Sequence, residues 1–415
     1  MALEGGGCGD GYGHPVTRQW RLDLGAVFIY LALGAMFSAT PRFVTEELGG
    51  TRAVAGFSVS IFFLAAVLAR PVAGRLIDRV GRRPFLVGPP FVMAGVMLCF
   101  HGARWVPVVL ALRVVQGAAG SAFYVAAVTA STDLSPPERR ASAVARLSIA
   151  IYVGFACGPA LGELLMDRGA ATAWTALALV MVVGAAIAAT MSETRPPAPA
   201  AASGATAVDA RQPLLHRQAV LPGVVLLALG VGYTSITAHS ALYARSIGLG
   251  SSGVLYATFA ISVLAVRLGS GRLADAVGPV RVIFPGIASL SLGLFVLSLL
   301  DRPVTAVAGV ALVGAGWALV FPAIVAWMSA IVPEAQRGSA LGSLVAFMDV
   351  GQGVGGYAVG AVADAAGFGW AYALPGVLAA LSAAPMTMAI RQQPGAARAP
   401  AVPTALPEAA SAAEV

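Results

Sequence analysis

Polar and apolar positions in this chain alternate on a long scale: extended apolar runs are separated by short polar stretches, and each run is long enough to cross a bilayer. A transmembrane helix takes about 20 mostly apolar residues at about 1.5 Å rise each. Twelve runs meet that length, at residues 23–45, 52–75, 84–102, 106–132, 141–165, 171–191, 219–243, 252–274, 281–300, 304–331, 338–363 and 369–390. The one long interruption, 194–218, is rich in Pro, Ala and polar residues and has no helical stripe, which predicts a flexible linker. The pattern therefore predicts a disordered tail (1–20), a six-helix half (21–193), the linker, a second six-helix half (219–391) and a second disordered tail (392–415). The N-terminus lacks the short apolar core and cleavage site of a signal peptide, so the first run is read as a retained helix. The fold class predicted is an all-α membrane protein of twelve helices.

The two halves are copies of one unit. The segment from Gly74 to Arg83, GRLIDRVGRR, returns from Gly271 to Gly278 as GRLADAVG, an offset of 197 residues. At that same offset Gly56 falls on Gly253, Arg70 on Arg267, Gly117 on Gly314, Arg140 on Arg337, Gly154 on Gly351 and Gly158 on Gly355. Parallel repeats of this size are typical of secondary transporters.

Composition narrows the class. Only 11% of the residues are charged and 58% are hydrophobic, with a mean hydropathy of +0.82, against roughly 25% charged in a soluble chain. Every basic residue is an arginine, so there is no P-loop lysine and no ATP-driven pump acting alone. With both termini in the cytoplasm, sixteen arginines fall on that side and six on the other, a positive-inside bias that accounts for the net charge of +7 without a nucleic-acid partner. Cys8, Cys99 and Cys157 are too scattered for a disulfide framework or a metal site. No cofactor and no enzymatic activity are expected, since no nucleophile–base pair or metal spacing stands out. The excess of Ala, Gly, Val and Arg suggests a GC-rich bacterial genome, hence an inner-membrane location.

Three motifs carry a resemblance. Gly74-x-Leu76-x-Asp78-Arg79-x-Gly81-Arg82-Arg83 lies between the second and third helices; its glycines permit close helix approach and a tight turn, and Asp78 can face the positive end of another helix. Its second copy keeps Asp275 but has lost the paired arginines. In the fourth helix stands Leu112-Arg113-x-x-Gln116-Gly117, with Arg113 roughly 10 Å deep, where an arginine needs a partner or a water-filled cavity unless it snorkels to the interface. In the fifth, Gly154-x-x-x-Gly158-Pro159-x-x-Gly162 offers a close-packing seam and a bend. With these motifs the chain resembles the major facilitator superfamily, specifically its twelve-helix drug:proton antiporter branch, over nearly all of residues 20–390. The resemblance implies that Asp78 faces the start of the eleventh helix near Gly338 and that Arg82 reaches Asp133, forming a cytoplasmic gate. It further implies that Gly154, Gly158, Pro159 and Gly162 favour export, and that the first, fourth, seventh and tenth helices line a cavity with Tyr30, Phe37, Phe123, Tyr124, Tyr233, Trp317, Phe321 and Trp327.

Acids inside the apolar runs are scarce. Asp349, near the midplane of the eleventh helix with Gln352 on the same face, is the first candidate for a proton or substrate site; the alternative is a carboxylate permanently paired with an arginine. Glu163, near the outer end of the fifth helix, is the second, and His239 is a further titratable group with an interfacial alternative. The first run, unlike that of some drug antiporters, holds no acid from Ala26 to Pro41. The function expected is proton-coupled efflux of a small amphipathic compound by alternating access, by a monomer in the lipid bilayer. The alternatives are a proton-coupled metabolite importer and, less in keeping with the short tails, a non-transporting sensor.

Overall fold

The computed structural model describes residues 15–136, 140–195, 215–299, 301–333 and 336–393, with backbone only at 15–17, 141, 142, 145 and 270–277. The helices are α1 (Pro15–Glu46), α2 (Arg52–Val80), α3 (Arg83–Cys99), α4 (Val106–Asp133), α5 (Arg140–Met166), α6 (Ala170–Ala189), α7 (Val220–Ser246), α8 (Gly253–Val277), α9 (Pro279–Leu299), α10 (Pro303–Ile331), α11 (Arg337–Leu381) and α12 (Ala383–Arg391). Among the described residues ten helical stretches are long and apolar enough to cross a membrane, and Gly253–Gly269 is a shorter apolar one. One of the ten, Arg337–Arg391, has 55 residues, far more than a hydrocarbon core of about 30 Å requires. It is divided at Gly367, whose φ of 83° suits glycine. Its two parts bring the long apolar stretches to eleven among the described residues, against the twelve expected, and the shorter α8 segment stands at the remaining position.

Helix ends follow local chemistry. The Val54 N–H donates to the Thr51 hydroxyl at the start of α2, and proline occupies the first turn of α3, α4 and α10, where a missing N–H costs nothing. α1 starts at Pro15, ahead of the expected 23, because its polar first turns have protein partners: buried Gln19 donates to Asp23 and to Ser131 of α4. The expected linker at 194–218 and the tails lie largely outside the described residues.

Both halves use the same close packing. A Cβ at Gly158 would fall 2.6 Å from the Gly34 Cα, and one at Gly162 2.3 Å from the Ala35 carbonyl, so α5 lies backbone to backbone on α1. A Cβ at Gly351 would fall 2.1 Å from the Leu227 carbonyl, giving α11 the same seat on α7. The halves then meet chiefly along α2 with α11 and along α5 with α8.

They do not meet evenly. At the end carrying Arg42, Arg245 pairs with Glu46, and the Ser252 hydroxyl bonds Glu163. The N–H groups of Arg52 and Ala53 donate to Asp364 at 3.3 and 2.9 Å. Gly56 and Gly356 there touch backbone to backbone, a Cβ at Gly56 having only 1.8 Å to the Gly356 carbonyl. At the other end, carrying Arg82, Cβ positions at Gly74, Gly278, Gly338 and Gly342 have nothing within 4 Å among the described residues. Among the described residues, no hydrogen bond or ion pair joins the halves on that side of the Arg70–Asp349 contact. The halves are closed at the Arg42 end and splayed at the Arg82 end.

Candidate functional site: a cavity between the halves

Between the halves lies a cavity lined from Tyr30 of α1 to Asp349 and Gln352 of α11. Eight of its eighteen lining residues are aromatic. Tyr30 of α1 stands edge-on to Phe155 of α5 at 4.8 Å, and Tyr233 of α7 stacks on Trp317 of α10 at 4.5 Å. Of the aromatics expected from the resemblance, Tyr30, Tyr124, Tyr233 and Trp317 line the cavity. Phe123, Phe37 and Trp327 are buried in helix packing, and Phe321 stands behind Tyr152 at 5.1 Å. The wall also takes Phe62, Phe63, Tyr152 and Phe155 from α2 and α5. The sequence reading missed these four because the helix phase cannot select a face where every face is apolar.

The charged groups are ordered by the repeat. Asp349 of α11 lines the cavity and accepts a hydrogen bond from Arg70 Nη2 of α2 at 2.6 Å, tying one half to the other. Gln352 lines the same wall. Arg70 carries a signal in the sequence, an arginine inside an apolar run repeated at Arg267. Adding the offset of 197 to Tyr152 leads to Asp349. In the second copy of the contact, the Arg267 guanidinium accordingly faces no acid: it lies 4.6 Å over the Tyr152 ring, with Nε and Nη2 buried and, among the described residues, without a hydrogen-bond partner.

Arg113 is elsewhere. It is fully buried between α4 and α2, donating from Nε to the Ser58 carbonyl at 2.9 Å and from Nη1 to Gln116 Oε1 at 2.9 Å. Its guanidinium lies over Phe37 and Phe62 at 5.2 and 4.9 Å, so Phe62 stands between it and the cavity. It does not snorkel. Glu163 and His239 are also buried. Glu163 belongs to the closed end, bonded by Arg42 Nη1 at 2.7 Å and by Ser252, with Oε2 unpartnered among the described residues. Arg42 also reaches Glu46 and Asp167 at 3.0 and 2.7 Å. His239 Nε2 lies 2.9 Å from the Gly356 carbonyl.

At the splayed end, Arg82 Nε donates to Asp133 Oδ2 at 2.9 Å, within the first half. Asp78 does not reach α11: its side chain is 72% exposed and lies 3.8 Å from Arg82 Nη2. The Asp275 side chain lies outside the described residues. An unanticipated acid completes this corner. Glu193, just past α6, accepts the N–H groups of Arg82 and Arg83 at 2.9 and 3.1 Å, capping α3. A Cβ at Gly81 would fall 2.5 Å from Glu193 Oε2, which with a φ of 114° explains the glycine. Burial acts to raise the Glu193 pKa, but the N–H groups of Arg82, Arg195, Arg83 and Thr194 outweigh it and hold the carboxyl below its usual 4.5.

These features define a multi-pass helical membrane protein with a cavity between two repeated halves, the architecture of a secondary transporter. Sequence comparison supplies the family: the Major Facilitator Superfamily model matches residues 22–324 and 251–412, and the chain belongs to that family. An uncharacterised MFS-type transporter of Burkholderia mallei (strain SAVP1) is 30% identical over 373 residues, 88% of this chain and 90% of its own length. A similarly named protein of Pseudomonas aeruginosa (strain UCBPP-PA14) is 31% identical over 390 residues, 88% of this chain and 90% of its own. Among solved structures, a bacterial homologue of the human lysosomal transporter Spinster matches with TM-score 0.73 and 16% identity, over 94% of this chain and 99% of that one. The human organic anion transporter MFSD10 matches with TM-score 0.68 and 18% identity, over 90% and 100%. At such identities the structural likeness concerns the fold alone.

Proposed function

We propose that the chain is a secondary transporter of a bacterial inner membrane that exports a small amphipathic organic compound by alternating access, drawing on the proton motive force. The Arg82 end and both termini lie in the cytoplasm on this reading. The observation that carries it is the cavity, walled by aromatic rings, bonded shut at the Arg42 end and reached from the Arg82 end. A compound enters from the cytoplasm; rocking then breaks the bonds of Arg245, Ser252 and Asp364 and brings the segment of Gly74 to Arg83, the last turns of α2 and the turn after it, against the start of α11. Asp78, exposed here, would find its partner in that second state. A proton has a natural point of action at Asp349, where it would take away the partner of Arg70 and loosen α2 from α11. Export as the direction rests on the α5 motif Gly154, Gly158, Pro159 and Gly162.

Proton-coupled uptake is the second reading, and one observation favours it. Protonating Asp349 leaves the charge of Arg70 uncompensated in the cavity wall, so a proton would strengthen the binding of a negatively charged cargo instead of expelling it. Membrane vesicles separate the two. Everted vesicles energised by respiration, with an acid and positive interior, are expected to accumulate labelled naphthalene derivatives above vesicles lacking the chain. Accumulation only in right-side-out vesicles with an acid exterior would establish uptake, and accumulation in neither would remove transport of this class.

A further inference from the structure

Two of the contacts that join the halves beside the cavity are related by the repeat, and one of the two is incomplete. On the α2–α11 side, Arg70 has a carboxylate, Asp349. On the α8–α5 side, Arg267 has Tyr152 in the matching place. A phenol ring offers a guanidinium its π-face but no oxyanion, and a cation in a membrane interior needs a counter-charge or water. Arg267 Nε and Nη2 are buried and have no counter-charge or hydrogen-bond partner among the described residues. Arg70, Asp349 and Arg267 together leave the cavity region with one net positive charge. The Tyr152 ring that carries Arg267 also lines the cavity, beside Trp317 at 6.2 Å and close to Tyr233 and Phe155.

We propose that the substrate supplies the missing acid: this transporter carries flat, apolar organic monoanions, whose carboxylate or similar oxyanion sits on Arg267 at the α5–α8 seam while the ring system lies among Tyr30, Phe155, Tyr233 and Trp317. The inference rests on the reading of the cavity as a transport site and names what enters it. The bound oxyanion occupies the place that Asp349 fills in the other copy, so loading completes a second bridge between the halves. Loaded, the region is neutral; emptied, it carries one positive charge. An inside-negative membrane potential therefore pulls the empty carrier inward, which drives an anion out.

Binding to the purified full-length protein in detergent tests the charge preference without any gradient, using three probes of nearly equal shape: 2-naphthoate, 2-naphthamide and 2-naphthylmethylammonium. Quenching of tryptophan fluorescence, with isothermal titration as a check, is expected to rank naphthoate tightest, by about tenfold over the amide, and the ammonium weakest. Arg267→Gln is expected to remove most of that advantage, about tenfold, while changing amide binding by less than about twofold. Arg267→Lys, which keeps the charge, is expected to retain part of it and guards against a folding defect in the glutamine variant. Equal binding of naphthoate and naphthamide to the unmodified protein would overturn the proposal. So would tightest binding of the ammonium, or an unchanged naphthoate preference in a folded Arg267→Gln protein. If naphthoate is preferred but no vesicle accumulates it, the transport reading fails and the anion site stands.

Discussion

Arg70 and Asp349 join helices of opposite halves at 2.6 Å, 279 residues apart in the chain, with the carboxylate lining the cavity. Asp349 is 6% exposed and Arg70 somewhat more, so removing one partner leaves a poorly solvated charge on the other. Asp349→Asn is expected to lower stability by about 3 kcal/mol. The double variant Arg70→Gln with Asp349→Asn is expected to cost less than the two single changes combined. Thermal unfolding in detergent of the four proteins measures this coupling, and strict additivity would show that the pair contributes no joint stability.

The bonds at the Arg42 end predict a conformational bias. Glu163 receives Arg42 from its own half and Ser252 from the other. Glu163→Gln weakens both contacts and is expected to shift the population toward the state open at that end by about fivefold, the equivalent of about 1 kcal/mol. Spin labels at Arg168 and Ser246, exposed residues of opposite halves, would report the shift as a longer component in electron–electron distance measurements. An unchanged distribution would exclude Glu163 from the closure.

Two glycines should behave oppositely. At Gly56 a Cβ would collide with the Gly356 backbone, so Gly56→Ala is expected to destabilise the protein by about 1–3 kcal/mol, read as a drop in unfolding temperature. Gly74 has open space around it. Gly74→Ala is expected to leave unfolding unchanged within about 0.5 kcal/mol yet reduce vesicle accumulation, because this end of α2 must approach α11 in the second state. Full accumulation by Gly74→Ala would argue against that approach.

Glu193 gives a pH dependence whose sign is set. Its pKa is held below the usual 4.5 in the folded protein, so its stabilising contribution is complete above that value and is lost as pH falls through the lower folded pKa. The difference in unfolding temperature between the unmodified protein and Glu193→Gln should therefore be full near neutral pH and shrink only under acid conditions below the ordinary carboxylate range. A difference that instead disappeared on raising the pH would contradict the capping role.

Much of the architecture was legible before any coordinate. Apolar runs of sufficient length predicted the helices, though α1 begins eight residues and α2 ends five residues beyond the expected limits, and the offset of 197 residues placed Gly154 and Gly351 in matching roles, each seated on the backbone of a neighbouring helix. Arg82 and Asp133 came together because both sit at helix ends on one side of the bundle. The site was less legible. Arg113 turned into the α2–α4 packing, and the cavity drew much of its wall from α2 and α5.

Hydropathy and internal repetition are properties of the chain read along its length, and they determined that this protein spans a membrane as two related halves. Which charges meet depends on how each helix is rotated and how the halves tilt. An apolar sequence leaves rotation open because all faces of a helix are equally greasy. Only the tertiary structure decided that Asp349 answers Arg70, that Arg267 is left to Tyr152, and that the halves are closed at Glu163 and open at Asp78.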